Sequence, residues 1–207
     1  MLRVDHIAVG EFQSNCYLLM DTEHGEAVLI DPGAEAKRIL EWTEGIPITK
    51  ILITHGHSDH IGALSEVRDE TGCPVGGHVL DAEAFGIDFD QNLQSGDRLT
   101  VGASELEVYE IPGHTPGSIA FALQEETFQR AVVGDAIFPG GPGHTSSHKN
   151  LQELLSALER TVFTWPDEVM LFPGHGKPTT VGVEREAFTN LRMQALPKDL
   201  FGDVTWR

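Results

Sequence analysis

The sequence predicts a layered α/β fold in a single domain over residues 1–207. Three observations carry that expectation. Apolar or alternating runs of strand length recur along the chain: AVLI at 27–30, ILIT at 51–54, LEVYEI at 106–111, AVVG at 131–134 and VMLF at 169–172. Helical periodicity lies between them, in AEAKRILEW after Asp31, IGALSEVRDETG after His60 and NLQELLSALERTVF from Asn150. Each run also ends, within a few positions, at a turn bearing a side chain able to bind a metal ion: Asp31, His55, His114, Asp135 and His175. The strand ends therefore point the same way and gather polar groups along one edge.

Taken in order, the elements differ in what they bury. ILIT is apolar on both faces, as a strand covered on both sides must be, whereas SELEVYEI alternates and needs only one apolar neighbour. The helix from Asn150 presents Leu151, Leu154, Leu155, Leu158 and Val162 on one face, the stripe that packs against a sheet. No fixed-period repeat and no Pro/Gly/Ser linker divides the chain, so its glycines and prolines mark local turns.

Composition narrows the function classes. Acidic residues outnumber basic ones 32 to 14, a formal charge of −18 with neutral histidines, and such a surface repels phosphate backbones. Nucleic acid is not an expected partner. No apolar run approaches the roughly 18 residues needed to cross a bilayer, so no membrane association is expected. The start, MLRVDHIAVGEFQSNCYLLM, lacks a basic region followed by an unbroken apolar core, and a cytoplasmic location is expected, with Cys16 and Cys73 as reduced, buried thiols.

The segment HGHSDH, residues 55–60, carries the chemistry. In extended backbone, side chains two apart fall on one side, so His55 and His57 can reach one ion. Ser58 and Asp59 are helix-starting residues, and the change of direction there turns Asp59 and His60 toward a second point. This spacing is not the HExxH pattern, in which two ligands one helical turn apart hold a single zinc. His6, His24 and His78 stand alone, and no function is assigned to them.

HGHSDH, GHTPGS at 113–118, GDA at 134–136 and PGHG at 173–176, preceded by VLIDPG at 28–33, resemble the motif series of the metallo-β-lactamase fold superfamily, most closely its glyoxalase II-like hydrolases. The resemblance covers nearly the whole chain and implies a four-layer αββα sandwich with a two-metal site at one sheet edge. It implies His55, His57 and His114 on one metal, Asp59, His60 and His175 on the other, and Asp135 between them. Asp31 is similar to the family's outer aspartate, which holds the HGHSDH loop and binds no metal. Two divalent ions are implied, zinc as the expected metal, with iron or manganese accepted by the same ligand types. Paired ions lower the pKa of a shared water toward about 7, so a metal-bound hydroxide, held through Asp59 and Asp135, is the expected nucleophile.

The implied substrate is a small-molecule S-acyl thioester. Longer glyoxalase II enzymes hold glutathione with a C-terminal helical segment, but roughly thirty residues follow PGHG here. After GDAIF the chain reads PGGPGHTSSHKN, which offers His144, His148 and Lys149 at the substrate mouth; His144 and Lys177 are the expected substrate contacts. Asp135 occupies the place where the commonest zinc β-lactamases carry cysteine, which disfavours that activity. An iron-dependent persulfide dioxygenase using one metal, or a lactonase of the same fold, is the alternative.

Overall fold

The computed structural model describes residues 2–124 and 130–206. Two sheets face one another, with helices on both outer sides. The first sheet contains β1 (Leu2–Val9), β2 (Ser14–Asp21), β3 (Ala27–Ile30), β4 (Ile48–Leu52), β5 (Val75–Gly77) and β6 (Gln91–Asn92), in sequence order across the sheet. The second contains β7 (Arg98–Val101), β8 (Ser104–Glu110), β9 (Ile119–Gln124), β10 (Arg130–Gly134), β13 (Met170–Pro173) and β14 (Thr179–Thr180), in the spatial order β14-β13-β10-β9-β8-β7; a short hairpin, β11 (Ile137–Phe138) and β12 (Gly141–Pro142), stands apart. β3 and β4 run parallel, as do β10 and β13.

Three buried clusters define the four layers. Tyr17, Leu19, Val28, Ile30 and Leu52 of the first sheet meet Leu106, Val108, Phe121, Leu123 and Val132 of the second. The alternate residues of the same strands face outward: Cys16, Leu18, Leu29 and Ile51 pack with Ile39 of α1 (Ala36–Trp42) and with Leu64 and Val67. On the far side Ala120, Ala122 and Ala131 leave room for the leucines of α5 (His148–Arg160) and for Phe188 of α6 (Val181–Arg192). Period-two strand patterning thus places each apolar face against its own partner layer, giving the αββα sandwich. Among the described residues, no helix is long and apolar enough to cross a membrane.

Local details differ from the periodicity. The helical stretch after His60 is two helices, α2 (Ser58–Ile61) and α3 (Leu64–Thr71), because the N–H of Ala63 donates to the carbonyl of Pro32 at 3.0 Å and interrupts the helical ladder. The helix expected from Asn150 begins at His148, where the Ser147 hydroxyl caps the N–H of Asn150; it ends at Arg160, and Val162–Thr164 forms a separate 3-10 turn. α4 (Val79–Phe85) follows β5 and is capped by His78, whose ring nitrogen accepts from the N–H of Leu80.

At the end of β2, buried Asp21 accepts hydrogen bonds from the N–H of Glu23 at 2.9 Å and of Ala103, in the β7–β8 turn, at 2.7 Å. One side chain so joins the two sheets, and these backbone donors, Glu23 first, hold its carboxyl below the usual carboxylate range. A depressed folded-state pKa means stabilisation that is present above about pH 4 and lost as pH falls below it. Denaturant unfolding between about pH 5 and pH 3 is expected to show a steeper loss of stability in the natural protein than in Asp21→Asn.

Candidate metal centre

β4 carries the chain into the inner edge of the first sheet, where Thr54 and His55 are both buried. Asp31, immediately after β3, adopts φ 54°, a left-handed conformation that aspartate tolerates better than most side chains. The bend aims its carboxyl under the HGHSDH loop. Oδ1 accepts from the N–H of Thr54 at 2.7 Å, and Oδ2 accepts from the Thr54 hydroxyl at 2.6 Å and from His60 Nδ1 at 3.1 Å. The outer nitrogens of other imidazoles are tied in the same manner. His114 Nδ1 donates to the carbonyl of His144 at 2.8 Å, His175 Nδ1 donates to the carbonyl of Phe12 at 3.0 Å, and His55 Nδ1 meets the Thr54 hydroxyl at 3.0 Å. Occupying Nδ1 in this way settles the tautomer and turns Nε2 inward.

Two groups of donor atoms result. Those of His55, His57 and His114 lie within 4.8 Å of one another, as do those of Asp59, His60 and His175. Asp135, on the turn after β10, stands between the groups. Its Oδ2 is 3.4 Å from His175 Nε2, 3.6 Å from His114 Nε2 and 4.0 Å from His55 Nε2, and its Oδ1 is 3.5 Å from His60 Nε2. Asp31, His55 and His60 also cluster within 4.8 Å, but both oxygens of Asp31 are already engaged by Thr54 and His60.

The electrostatics differ between the halves. Burial, reinforced by neighbouring imidazoles, drives the His55 pKa well below the ordinary histidine value; burial also lowers His57 and His114. These three are held neutral, each with a lone pair to give. In the other half, hydrogen bonds donated by His175 to the carboxylates of Asp135 and Asp59 push its pKa up to about 10. His175 in return holds Asp59 below the usual carboxylate range; for Asp135, burial pushes upward, but the His175 contact and the nearby His60 outweigh it. His60 is likewise raised, because Asp31 outweighs its burial.

Among the described residues, His55 Nε2, His114 Nε2 and Asp135 Oδ1 are buried with no hydrogen-bond partner. An inward-facing set of imidazole and carboxylate atoms, unpartnered at its centre, fits a divalent cation, since polar groups buried without compensation are costly. The seven residues anticipated from the motifs are brought together, with Asp31 beneath them. His144 lines a cleft of about 320 Å³ beside the cluster, together with His114, Asp135, Phe138 and Val204, and its ring bonds Asp203 at 2.9 Å. Lys177 is exposed past His175 and stands outside this lining. His148 turns away, with Nδ1 on the carbonyl of Leu200 at 3.1 Å.

Two supporting residues, Ser14 and Asn15, belong to no sequence motif. The Ser14 hydroxyl donates to Asp59 Oδ2 at 3.0 Å, and the Asn15 amide donates to the carbonyls of Pro173 and Gly176 at 3.0 and 3.1 Å. The only sequence signal at SNC is the start of a strand.

The profile of the metallo-β-lactamase superfamily matches residues 9–175. The chain belongs to that superfamily. The hydroxyacylglutathione hydrolase GloC of Haemophilus influenzae is 32% identical, over 90% of this chain and 96% of its own length. The protein TTHA1623, solved in a di-iron-bound form, superposes with a TM-score of 0.73 at 31% identity, over 87% of this chain and 96% of its own. The B3 metallo-β-lactamase BLEG-1 superposes with a TM-score of 0.77 at 30% identity, over 89% of this chain and 97% of its own. This superfamily member therefore shares its fold and most of its length with relatives of more than one named activity.

A Cβ added at Gly174 would collide with Asp135 Oδ1 and lie 2.7 Å from His60 Cε1. Gly174→Ala is expected to push Asp135 from its central position and lower bound metal at least tenfold below that of the unmodified protein, with far-ultraviolet circular dichroism unchanged, as read by elemental analysis; about tenfold is the low end for a disturbed ligand shell.

Proposed function

We propose that the protein is a binuclear metal-dependent hydrolase of S-acyl thioesters. One observation carries the reading: two groups of inward-facing donors share Asp135 as their common neighbour, and buried donor atoms at the centre have no protein partner. His55, His57 and His114 would hold one ion, Asp59, His60 and His175 the other, and Asp135 both. When bound, paired divalent ions polarise a carbonyl and lower the pKa of water, worth several kcal/mol of charge stabilisation. Zinc is the metal we assign, on the nitrogen and oxygen donor set; the di-iron form of TTHA1623 supports iron as an accepted substitute.

The residues of this chain divide the remaining work. Asp31 and the carbonyls of Phe12 and His144 orient the imidazoles, so little reorganisation is needed at the reacting centre. Ser14 orients Asp59. The cleft edged by Phe138, Pro142 and Val204 gives access to His114 and Asp135 of the cluster, and His144 in its lining is the substrate contact we assign. Lys177, exposed past His175 and outside this cleft, is the second substrate contact we assign. The thioester class is supported by the similarity to GloC, whose name states hydrolysis of hydroxyacylglutathione. We place the protein in the cytoplasm, supported by two cysteines that are both free and buried.

Asp135→Ala is expected to abolish thioester hydrolysis, a loss of about 10²–10³-fold or more, the scale set by removing one major electrostatic contact. Retained turnover rejects its central role. His175→Ala is expected to bind one metal per chain where the natural protein binds two, as read by elemental analysis. Assays of the zinc-loaded protein on an S-acyl thioester, a persulfide, a lactone and a β-lactam decide the class: turnover of the thioester is expected, and turnover of another substrate alone replaces this reading.

A further inference from the structure

Asp81 belongs to none of the motifs, is 1% exposed and sits in the first turn of α4. The start of that helix is itself anchored, because His78 accepts from the N–H of Leu80 at 3.2 Å and its other ring nitrogen lies 3.1 Å from Glu110 Oε1. Asp81 Oδ2 accepts from the N–H of Gly56 at 2.7 Å and from the hydroxyl of Thr115 at 2.8 Å, and Oδ1 accepts from the N–H of Gly117 at 2.7 Å. Gly56 lies between His55 and His57, and Thr115 follows His114. One buried side chain therefore joins the loop after β4, from the first sheet, to the loop after β8, from the second. The ring centroids of His114 lie 4.8 Å from His55 and 4.6 Å from His57 across that junction. Gly117 permits the approach, since a Cβ there would stand 2.8 Å from Asp81 Oδ1. One turn further along α4, Phe85 packs edge-on against the His57 ring at 5.4 Å.

We infer that Asp81 is the positioning residue of the His55, His57 and His114 group, clamping three imidazoles from two sheets at the spacing a cation requires. The inference rests on the metal-centre reading above. Asp31 lies beneath His60 and, through the Thr54 hydroxyl, beneath His55, whereas Asp81 reaches the backbone beside His55, His57 and His114. The N–H of Ile119 donates to the carbonyl of Thr54 at 2.9 Å and joins the same two segments further back, while at the loops themselves Asp81 takes the N–H groups of Gly56 and Gly117. Without Asp81, the N–H groups of Gly56 and Gly117 lose their acceptor, which favours loop conformations that find another.

The test uses Asp81→Asn, which keeps the volume but turns an NH₂ group toward at least one of the same donors. Zinc affinity of the full-length, metal-stripped protein is measured by competition with a chromophoric chelator in two backgrounds: His175→Ala, which retains the His55 group, and His57→Ala, which retains the His60 group. In the first background Asp81→Asn is expected to weaken zinc by about 10–100-fold, the range for lost outer partners of metal ligands. In the second, affinity is expected to hold within about twofold, the scatter of additive changes, because Asp81 bonds Gly56, Thr115 and Gly117 and no group of Asp59, His60 or His175. Thr115→Val, which removes one of the three donors and leaves the carboxyl in place, is expected to act in the same direction more weakly. Equal weakening in both backgrounds makes Asp81 a general scaffold residue and overturns the inference, as does no weakening in the first. Absence of zinc binding by the unmutated protein overturns the metal-centre reading itself.

Discussion

The meeting of the two sheets governs the rest of the molecule, because the donors of the centre come from both. His55, His57, Asp59 and His60 follow β4 of the first sheet; His114, Asp135 and His175 follow β8, β10 and β13 of the second. Their distances are therefore set by the core between the sheets, where Tyr17 packs against Phe172 edge-on and Phe121 and Val132 fill the centre. Such interiors are close-packed and resist gradual sliding. At the edge, the Tyr17 hydroxyl donates to the carbonyl of Pro173 at 2.5 Å, so one side chain belongs both to the core and to the frame of the His175 loop. At the opposite end of β2, Asp21 closes the sandwich against the β7–β8 turn.

Within that frame, the loops are held by hydrogen bonds to side chains and carbonyls more than by ladder bonds. The outer nitrogens of His55, His60, His114 and His175 each have a named partner, and at the inner face of the cluster His55 Nε2, His114 Nε2 and Asp135 Oδ1 are buried without one. The arrangement is costly in their absence, since it buries imidazoles and carboxyls that lack full compensation. A metal ion held by this cluster would accordingly add to the stability of the native state.

How far the site could be read from the chain depended on how its residues are packed along it. HGHSDH announces itself because four donors crowd six positions beside an apolar strand, and GHTPGS, GDA and PGHG repeat the strand-end placement. Ser14, Asn15 and Asp81 gave no such signal. Each is a common residue in an ordinary strand or helix start, and its importance comes from contacts 45, 158 and 25 positions away in sequence. Helix limits were also only partly legible: the break between α2 and α3 arises where Pro32, from a different loop, takes the N–H of Ala63. His148, close in sequence to the substrate mouth, turns instead to the carbonyl of Leu200.

By itself the sequence determined the layer type and the donor inventory, since strand and helix periodicities and strand-end histidines are local properties of the chain. Tertiary structure decided the rest: that His114, Asp135 and His175 of the second sheet meet the HGHSDH donors, which imidazole nitrogen faces inward, and that Val204 and Asp203 wall the cleft beside His114. Those matters depend on the register between two sheets and on hydrogen bonds closed over long sequence separations, and no local pattern encodes either.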